Sequence, residues 1–132
     1  MILSRLSGAV MAVLNRPAAP HTVATLAAVA GMGRSTFARQ FVDGFGMSPM
    51  EFVAKTRLYH AANMLRTSKL PIKVVAASIG FLSRSHFSRA FRDAYGKDPT
   101  AFRQKHSDGA ALDAPAHLRG SRERFALPAE PD

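Results

Sequence analysis

The chain has 132 residues, a formal net charge of +9 at pH 7 and no cysteine. This length holds one domain or two very small ones, and the lack of cysteine excludes disulfides, thiolate nucleophiles and cysteine-ligated zinc. The charge indicates a polyanionic partner, either nucleic acid or an anionic membrane surface.

The positive charge is concentrated in the part of the chain that we expect to fold. Residues 22–106 carry 13 Lys/Arg and 4 Asp/Glu, whereas the tail from Ser107 carries three basic and five acidic residues. No apolar run reaches the ~18 residues that a membrane-spanning helix requires. The basic residues are also spread over several predicted helices rather than one amphipathic face, which argues against binding to a membrane surface.

Residues 1–21 precede the first module and predict a helix that packs on it. The apolar positions of this segment recur at helical spacing, on a stripe formed by Leu3, Leu6, Val10, Val13 and Leu14. A signal peptide is the alternative, but its basic region would hold only Arg5, and "NRPAAPH" is a weak cleavage site.

Residues 22–47 have the pattern of a helix-turn-helix. The stretch "TVATLAAVAG" begins at Thr22, a favourable N-cap, and ends at Gly31, a favourable C-cap. After a short break, "RSTFARQFVDGFG" predicts a second helix with Phe37 and Phe41 on one face. We interpret these two rings as core residues that hold the helix in place.

Residues 48–68 form the connector between two such modules. Ser48 followed three residues later by Glu51 is a capping box, and Pro49 suits the first helical position. A helix of about 18 residues extends ~27 Å. We therefore expect a rigid spacer.

Residues 69–106 repeat the first module and end in a short helix that opens at Asp98 and Pro99. "PIKVVAASIG" and "SRSHFSRAFRDAYG" predict a second helix-turn-helix, with Ser83 as N-cap of its second helix. Two copies indicate a duplicated module, since solenoids need three or more. The predicted fold is all-α, with about seven helices in two homeodomain-like helix-turn-helix modules joined by a long connector helix. At an offset of fifty residues, the following positions match: Phe37, Arg39, Phe41, Asp43, Phe45, Gly46, Pro49 and Phe52 with Phe87, Arg89, Phe91, Asp93, Tyr95, Gly96, Pro99 and Phe102.

The pattern "RLYHAANMLRTSKLPIKVVAASIGFLSRSHFSRAFRDAYGKDPTAFR" resembles the AraC/XylS family of bacterial transcription regulators. The upstream "TLAAVAGMGRSTFARQFVDGFGMSPMEF" is similar to the first helix-turn-helix of that family, so the resemblance covers residues 3–106. It implies a cytoplasmic, nucleoid-associated regulator that binds double-stranded DNA, and it implies contact with RNA polymerase for activators.

The second helix of each module is expected to read bases in the DNA major groove with the face opposite its phenylalanines. Arginine pairs bidentately with guanine O6 and N7, which contributes about 1 to 3 kcal/mol of discrimination. For Arg39 and Arg89, phosphate contact or a bracing pair with Asp43 or Asp93 is the alternative. The resemblance places base contacts at Ser35, Ala38, Arg39, Arg84, Ser85 and Arg89. The whole outward face comprises Arg34, Ser35, Ala38 and Arg39 in the first module and Arg84, Ser85, Ser88 and Arg89 in the second.

Phosphate contacts are expected from helix N-termini and nearby polar or basic residues. His86 is equally consistent with a phosphate contact and with a solvent-exposed position at the start of its helix. If the two recognition helices lie about one DNA turn apart, ~34 Å, one chain binds two successive major grooves as a monomer, on an asymmetric site. The phosphate candidates are Thr22, Arg57, the backbone around Ile72, Lys73 and His86.

Four features depart from the family pattern or lie outside it. Gly33 stands where the first module of the family has a serine N-cap, and Thr25 replaces the usual acidic partner of the Thr22 cap. Only 21 residues precede the first module, so the chain resembles small stand-alone members, and we expect no small-molecule effector. Residues 107–132 lack periodicity and are predicted to be disordered.

Two other functional classes compete with DNA binding. The five histidines show no metal spacing, and neither a carboxylate pair nor a phosphate-binding glycine loop is present, so we predict no catalytic residue, metal or cofactor. A protein-binding antagonist, or a truncated fragment of a ligand-responsive regulator, is the alternative function. Arginines and serines on the outward faces favour DNA over a protein partner. Arg103, on the last helix, is interpreted as a solvated charge, with a contact to the DNA backbone as the alternative.

Overall fold

The computed structural model describes residues 2–107, with side chains from Ser4 onward. This part of the chain contains seven α-helices and no strand, so the predicted all-α fold with about seven helices is confirmed. The tail that was predicted to be disordered lies outside the described residues from residue 108 on. The helices are α1 (Ile2–Asn15), α2 (Val23–Ala30), α3 (Arg34–Phe45), α4 (Pro49–Thr67), α5 (Ile72–Ser78), α6 (Arg84–Tyr95) and α7 (Pro99–His106).

The described residues form two compact units. Unit 1 comprises residues 2–16 and 20–54, and unit 2 comprises residues 17–19 and 55–107. The connector predicted from the sequence is α4, a helix of 19 residues with a length of about 28 Å. Its first six residues belong to unit 1 and the others to unit 2.

Unit 1 has a core of aromatic rings covered by an amphipathic helix. Phe37 and Phe41 of α3 are buried, and the Phe41 ring centroid lies 5.6 Å from those of Phe37 and Phe52. Helix α1 packs against α2 and α3 with its buried residues Leu6, Ala9, Val10 and Val13. Replacing a buried phenylalanine by alanine typically costs 3 to 5 kcal/mol, so these rings fix the orientation of α3.

Unit 2 repeats this arrangement with the matched rings of α6. Phe87 and Phe91 are fully buried, and the Phe91 ring centroid lies 5.1 Å from that of Phe102 on α7. Tyr95 stacks on Phe91 at 4.7 Å, and its burial, together with the charge of Tyr59, raises the pKa of its phenol to about 12. The two units therefore hold α3 and α6 by the same pattern of aromatic contacts.

The helices of the two repeats begin with different N-terminal caps. At the start of α2, Thr22 Oγ1 accepts a hydrogen bond from Thr25 N (3.0 Å), and Thr25 Oγ1 accepts one from Thr22 N (2.9 Å). Threonine thus completes the capping box without an acidic residue. At α6, Ser83 Oγ accepts a bond from His86 N (3.0 Å), whereas Gly33 at α3 provides no side-chain cap.

Candidate nucleic-acid interface

The eight predicted base-reading residues lie on the outward faces of α3 and α6. Burial of the phenylalanines on one side of each helix leaves the opposite side in solvent. Ala38 and Ser88, at matched positions, are partly buried. The exposed members are Arg34, Ser35 and Arg39 in unit 1 and Arg84, Ser85 and Arg89 in unit 2.

Arg39 and Arg89 are not engaged by the aspartates that follow them one turn later. Within residues 2–107, neither arginine forms an ion pair with Asp43 or Asp93, and neither donates a hydrogen bond to another described residue. The bracing alternative considered for these arginines therefore has no support in the described structure. Both guanidinium groups keep all their N–H donors available for a ligand.

A groove of about 360 Å³ runs along the outward face of α6 in unit 2. It is closed on one side by the start of α7, where Asp98 Oδ1 accepts a hydrogen bond from Ala101 N (2.8 Å) and caps the helix. The groove contains three arginines against one carboxylate, a balance that suits a polyanion. Its polar lining residues are Arg84, Ser85, Ser88, Arg89, Arg92, Asp98 and Thr100.

Arg92 and Thr100 line the groove but were not predicted from the sequence. Arg92 is exposed and stands four residues after Ser88, so the helical stripe that identified Ser88 also predicts it. Thr100 lies on α7, and its approach to α6 depends on the turn between the two helices, which carries no comparable periodic signal. The polar surface of unit 2 therefore extends one helical turn beyond the predicted residues.

Four of the predicted phosphate-binding residues lie at helix starts. Lys73 and His86 have exposed side chains, and the His86 ring also packs edge-on against Phe81 at 5.2 Å. Thr22 is exposed, but its hydroxyl group takes part in the cap of α2. The Ile72 side chain is buried, so only its backbone N–H can meet a phosphate.

The fifth phosphate candidate, Arg57, has a different environment from the one predicted. Its Nε donates to Pro17 O (2.7 Å) and its Nη2 to Ala19 O (2.8 Å), in a partly buried position. Burial lowers the pKa of this guanidinium below its ordinary value. The hydrogen bonds show that Arg57 anchors residues 17–19 within unit 2, which argues against a phosphate contact.

Gly80 makes the Arg57 arrangement sterically feasible. Its φ of +93° lies in the region that favours glycine. A Cβ atom at this position would stand 3.2 Å from Arg57 Cζ and 3.3 Å from Ala18 O. The glycine of the predicted Gly-Phe turn is therefore required both by its backbone conformation and by the guanidinium packed against it.

Arg103 also differs from its predicted state. It was interpreted as a solvated charge, but its Nε donates a hydrogen bond to Leu65 O (3.1 Å) in a partly buried position. The Leu65 carbonyl belongs to the last turn of α4, where carbonyl groups lack intrahelical partners. Arg103 thus ties α7 to the end of α4 within unit 2, and the interpretation as solvated charge was wrong.

The described residues offer no metal site and no membrane span. In residues 2–107, no group of three or more His, Asp or Glu side chains could hold a metal ion. None of the seven helices combines the length and apolar character needed to cross a bilayer.

Comparison with known proteins identifies relatives of both the sequence and the fold. Residues 26–105 match the family model described as a helix-turn-helix domain. The chain is 38% identical over 77 residues to the RCS-specific HTH-type transcriptional activator RclR of Escherichia coli K12, which covers 58% of this chain and 27% of RclR. It is 36% identical over 76 residues to the HTH-type transcriptional regulator AlkR of Acinetobacter baylyi, covering 58% and 25% of the two chains. The matches thus span about a quarter of these curated relatives.

Solved structures show the same arrangement of helices. The DNA-binding domain of AdpA, a global transcriptional factor solved in complex with a target DNA, has a TM-score of 0.72 and 33% identity over 76% of this chain and 90% of that chain. An AraC-type transcriptional regulator from Chromobacterium violaceum has a TM-score of 0.75, covers 81% of this chain and 96% of that chain, and at 23% identity supports the fold. These relatives are transcription regulators, a non-enzymatic class.

Proposed function

The chain belongs to the AraC/XylS family of helix-turn-helix transcription regulators, and from this premise we propose that it binds a specific double-stranded DNA sequence through two recognition helices, α3 and α6. Each helix enters a major groove with its outward face, and the two grooves are successive along one side of the duplex. Arg39 and Arg89 are the principal base readers, assisted by Arg34, Ser35, Arg84 and Ser85.

Arg39 and Arg89 carry this proposal, because they occupy equivalent positions in the two repeats and have the same environment. Both are exposed, both lie on the helix face opposite the buried phenylalanines that stand two residues before and after them, and neither is paired within the described residues. The planar guanidinium group of arginine presents paired N–H donors that bind two acceptors at once, which makes arginine a common residue for nucleic-acid recognition. Guanine O6 and N7 provide such an acceptor pair in the major groove.

Backbone contacts complete the proposed interface. Lys73 and His86, with the N–H groups at the starts of α2 and α5, face phosphates and set the position of each recognition helix on the duplex. Such contacts carry no sequence information, but they make the affinity depend steeply on salt. The two outward faces differ in sequence, so a single chain binds an asymmetric site as a monomer.

Regulation is proposed to follow from this binding through contact with RNA polymerase. The related RclR is named as an activator, which supports activation as the outcome for this chain. The proposal assigns no small-molecule effector to residues 2–107 and no catalytic step to any of them. It places the protein on the nucleoid of the bacterial cytoplasm.

A selection from random duplexes tests the proposal. The purified chain is incubated with a random-sequence DNA library at about 50 mM and about 200 mM salt, a range over which phosphate contacts dominate the change in affinity, and the bound duplexes are sequenced. We expect enrichment of one asymmetric site of about two helical turns at both salt concentrations. Salt-sensitive binding without an enriched sequence would contradict sequence-specific recognition.

A further inference from the structure

The two units differ in chemistry at matched positions of their outward faces. In unit 2, Ser88, Arg92 and Thr100 line the polar groove along α6. The residues fifty positions earlier in unit 1 are Ala38, Val42 and Met50. The two repeats therefore share the buried rings and the equivalent arginines Arg39 and Arg89. Beside the arginine, however, unit 1 has apolar side chains where unit 2 has polar ones.

The apolar residues of unit 1 are accessible rather than part of its core. Val42 is 45% exposed and Met50 is 38% exposed, and Ala38 is partly exposed. Ala38 and Val42 stand one helical turn apart on α3, on the same stripe as Arg39. Unit 1 thus presents methyl groups to solvent beside the arginine that is proposed to read a base.

In the DNA major groove, these methyl groups can contact the methyl group of a thymine. Thymine alone among the bases presents a methyl group there, and alanine and other apolar side chains recognise it by contact. Ser88 and Arg92 carry hydrogen-bonding groups at the matched positions and have no such preference. We propose that α3 reads a thymine through its 5-methyl group, which Ala38 and Val42 contact next to the base bound by Arg39. This inference rests on the proposed function and specifies the base composition of one half of the site.

Replacement of thymine by deoxyuridine tests the inference, because it removes the methyl group and leaves base pairing unchanged. The half of the enriched site that belongs to α3 is identified by the positions at which Arg39→Ala relaxes base preference. Each thymine in that half is then replaced singly. We expect about fourfold weaker binding at one position, the effect of withdrawing one buried methyl group, and no such effect at thymines in the half assigned by Arg89→Ala.

A matched pair of variants separates this contact from a general effect of deoxyuridine on the duplex. In the Ala38→Ser/Val42→Ser double variant, both substituted positions are at least partly exposed, and we expect the ratio of affinities for thymine and deoxyuridine to fall to about one. The control variant Val29→Ser exchanges an exposed apolar residue on α2, outside the proposed DNA contacts, for serine, and it should leave that ratio unchanged.

The outcomes distinguish this inference from the proposed function. An α3 half-site without thymine, full affinity after every deoxyuridine replacement, or a methyl effect that persists in the double variant would overturn the thymine contact while leaving sequence-specific binding intact. Failure to enrich any site would overturn the proposed function and the thymine contact together.

Discussion

Replacing Arg57 by methionine distinguishes a structural role of this residue from a role in phosphate binding. Methionine keeps an apolar stem of similar reach but removes the hydrogen bonds to Pro17 O (2.7 Å) and Ala19 O (2.8 Å). A hydrogen bond from a charged group contributes about 1.5 to 3 kcal/mol. Because Arg57 is only partly buried, water replaces part of this energy. We therefore expect the free energy of unfolding to fall by about 2 to 3 kcal/mol in total.

Two measurements on the same variant test this expectation. Urea unfolding followed by circular dichroism gives the change in stability. Binding to the enriched duplex at several salt concentrations gives the slope of log affinity against log salt, whose magnitude decreases by about 0.9 for each phosphate that the protein no longer neutralises. For Arg57→Met, we expect a lower stability and an unchanged slope.

Lys73→Met is the matched control for these measurements. Lys73 is exposed and forms no hydrogen bond with another described residue. Its replacement should change the free energy of unfolding by less than about 0.5 kcal/mol and reduce the magnitude of the salt slope by about 0.9. A wild-type stability of Arg57→Met together with a reduced slope would refute the structural assignment of Arg57.

Three further substitutions test local features of the fold. Gly80→Ala should destabilise unit 2 by about 2 kcal/mol in urea unfolding, since φ at this position is +93° and the added Cβ would meet Arg57; a change under about 0.5 kcal/mol would contradict this. Gly33→Ser should stabilise the protein by a few tenths of a kcal/mol, because φ is −67° and no atom lies within 4 Å of the added Cβ; a decrease in stability would show that the cap does not form. His60 has a pKa lowered by burial from its usual 6.5, so the unfolded state binds the proton more readily and stability is lost as pH falls through 6.5. His60→Gln should therefore reduce the loss of unfolding free energy between about pH 7 and pH 5, and an unchanged pH profile would exclude His60 as its cause.

The repeated sequence carries enough information to predict the helices and the aromatic cores. Phe37 and Phe41 recur at helical spacing, and their counterparts Phe87 and Phe91 do so again fifty residues later. Residues four apart lie on one face of a helix, so the pattern determines which side is buried and which side is outward. The seven helices and the exposure of Arg39 follow from this local rule.

The roles of Arg57 and Arg103 could not be predicted in the same way. Arg57 donates to backbone carbonyls 40 and 38 residues earlier in the chain, and Arg103 donates to a carbonyl 38 residues earlier. Every residue has the same backbone carbonyl whatever its side chain. The sequence therefore does not indicate which carbonyl group accepts a hydrogen bond from a distant arginine. A basic residue on a polar helix face is therefore equally consistent with solvent, DNA or a distant backbone group until the fold is known.

The measurement that tests the central claim most directly is the base preference of Arg39→Ala and Arg89→Ala on the enriched duplex. Every single-base variant of the site is titrated with the wild-type chain and with each mutant. We expect each mutant to lose about 1 to 3 kcal/mol of discrimination at its own position, with the two positions lying in different major grooves. Uniform weakening of all duplexes by both mutants, with every base preference retained, would contradict the reading of DNA by α3 and α6.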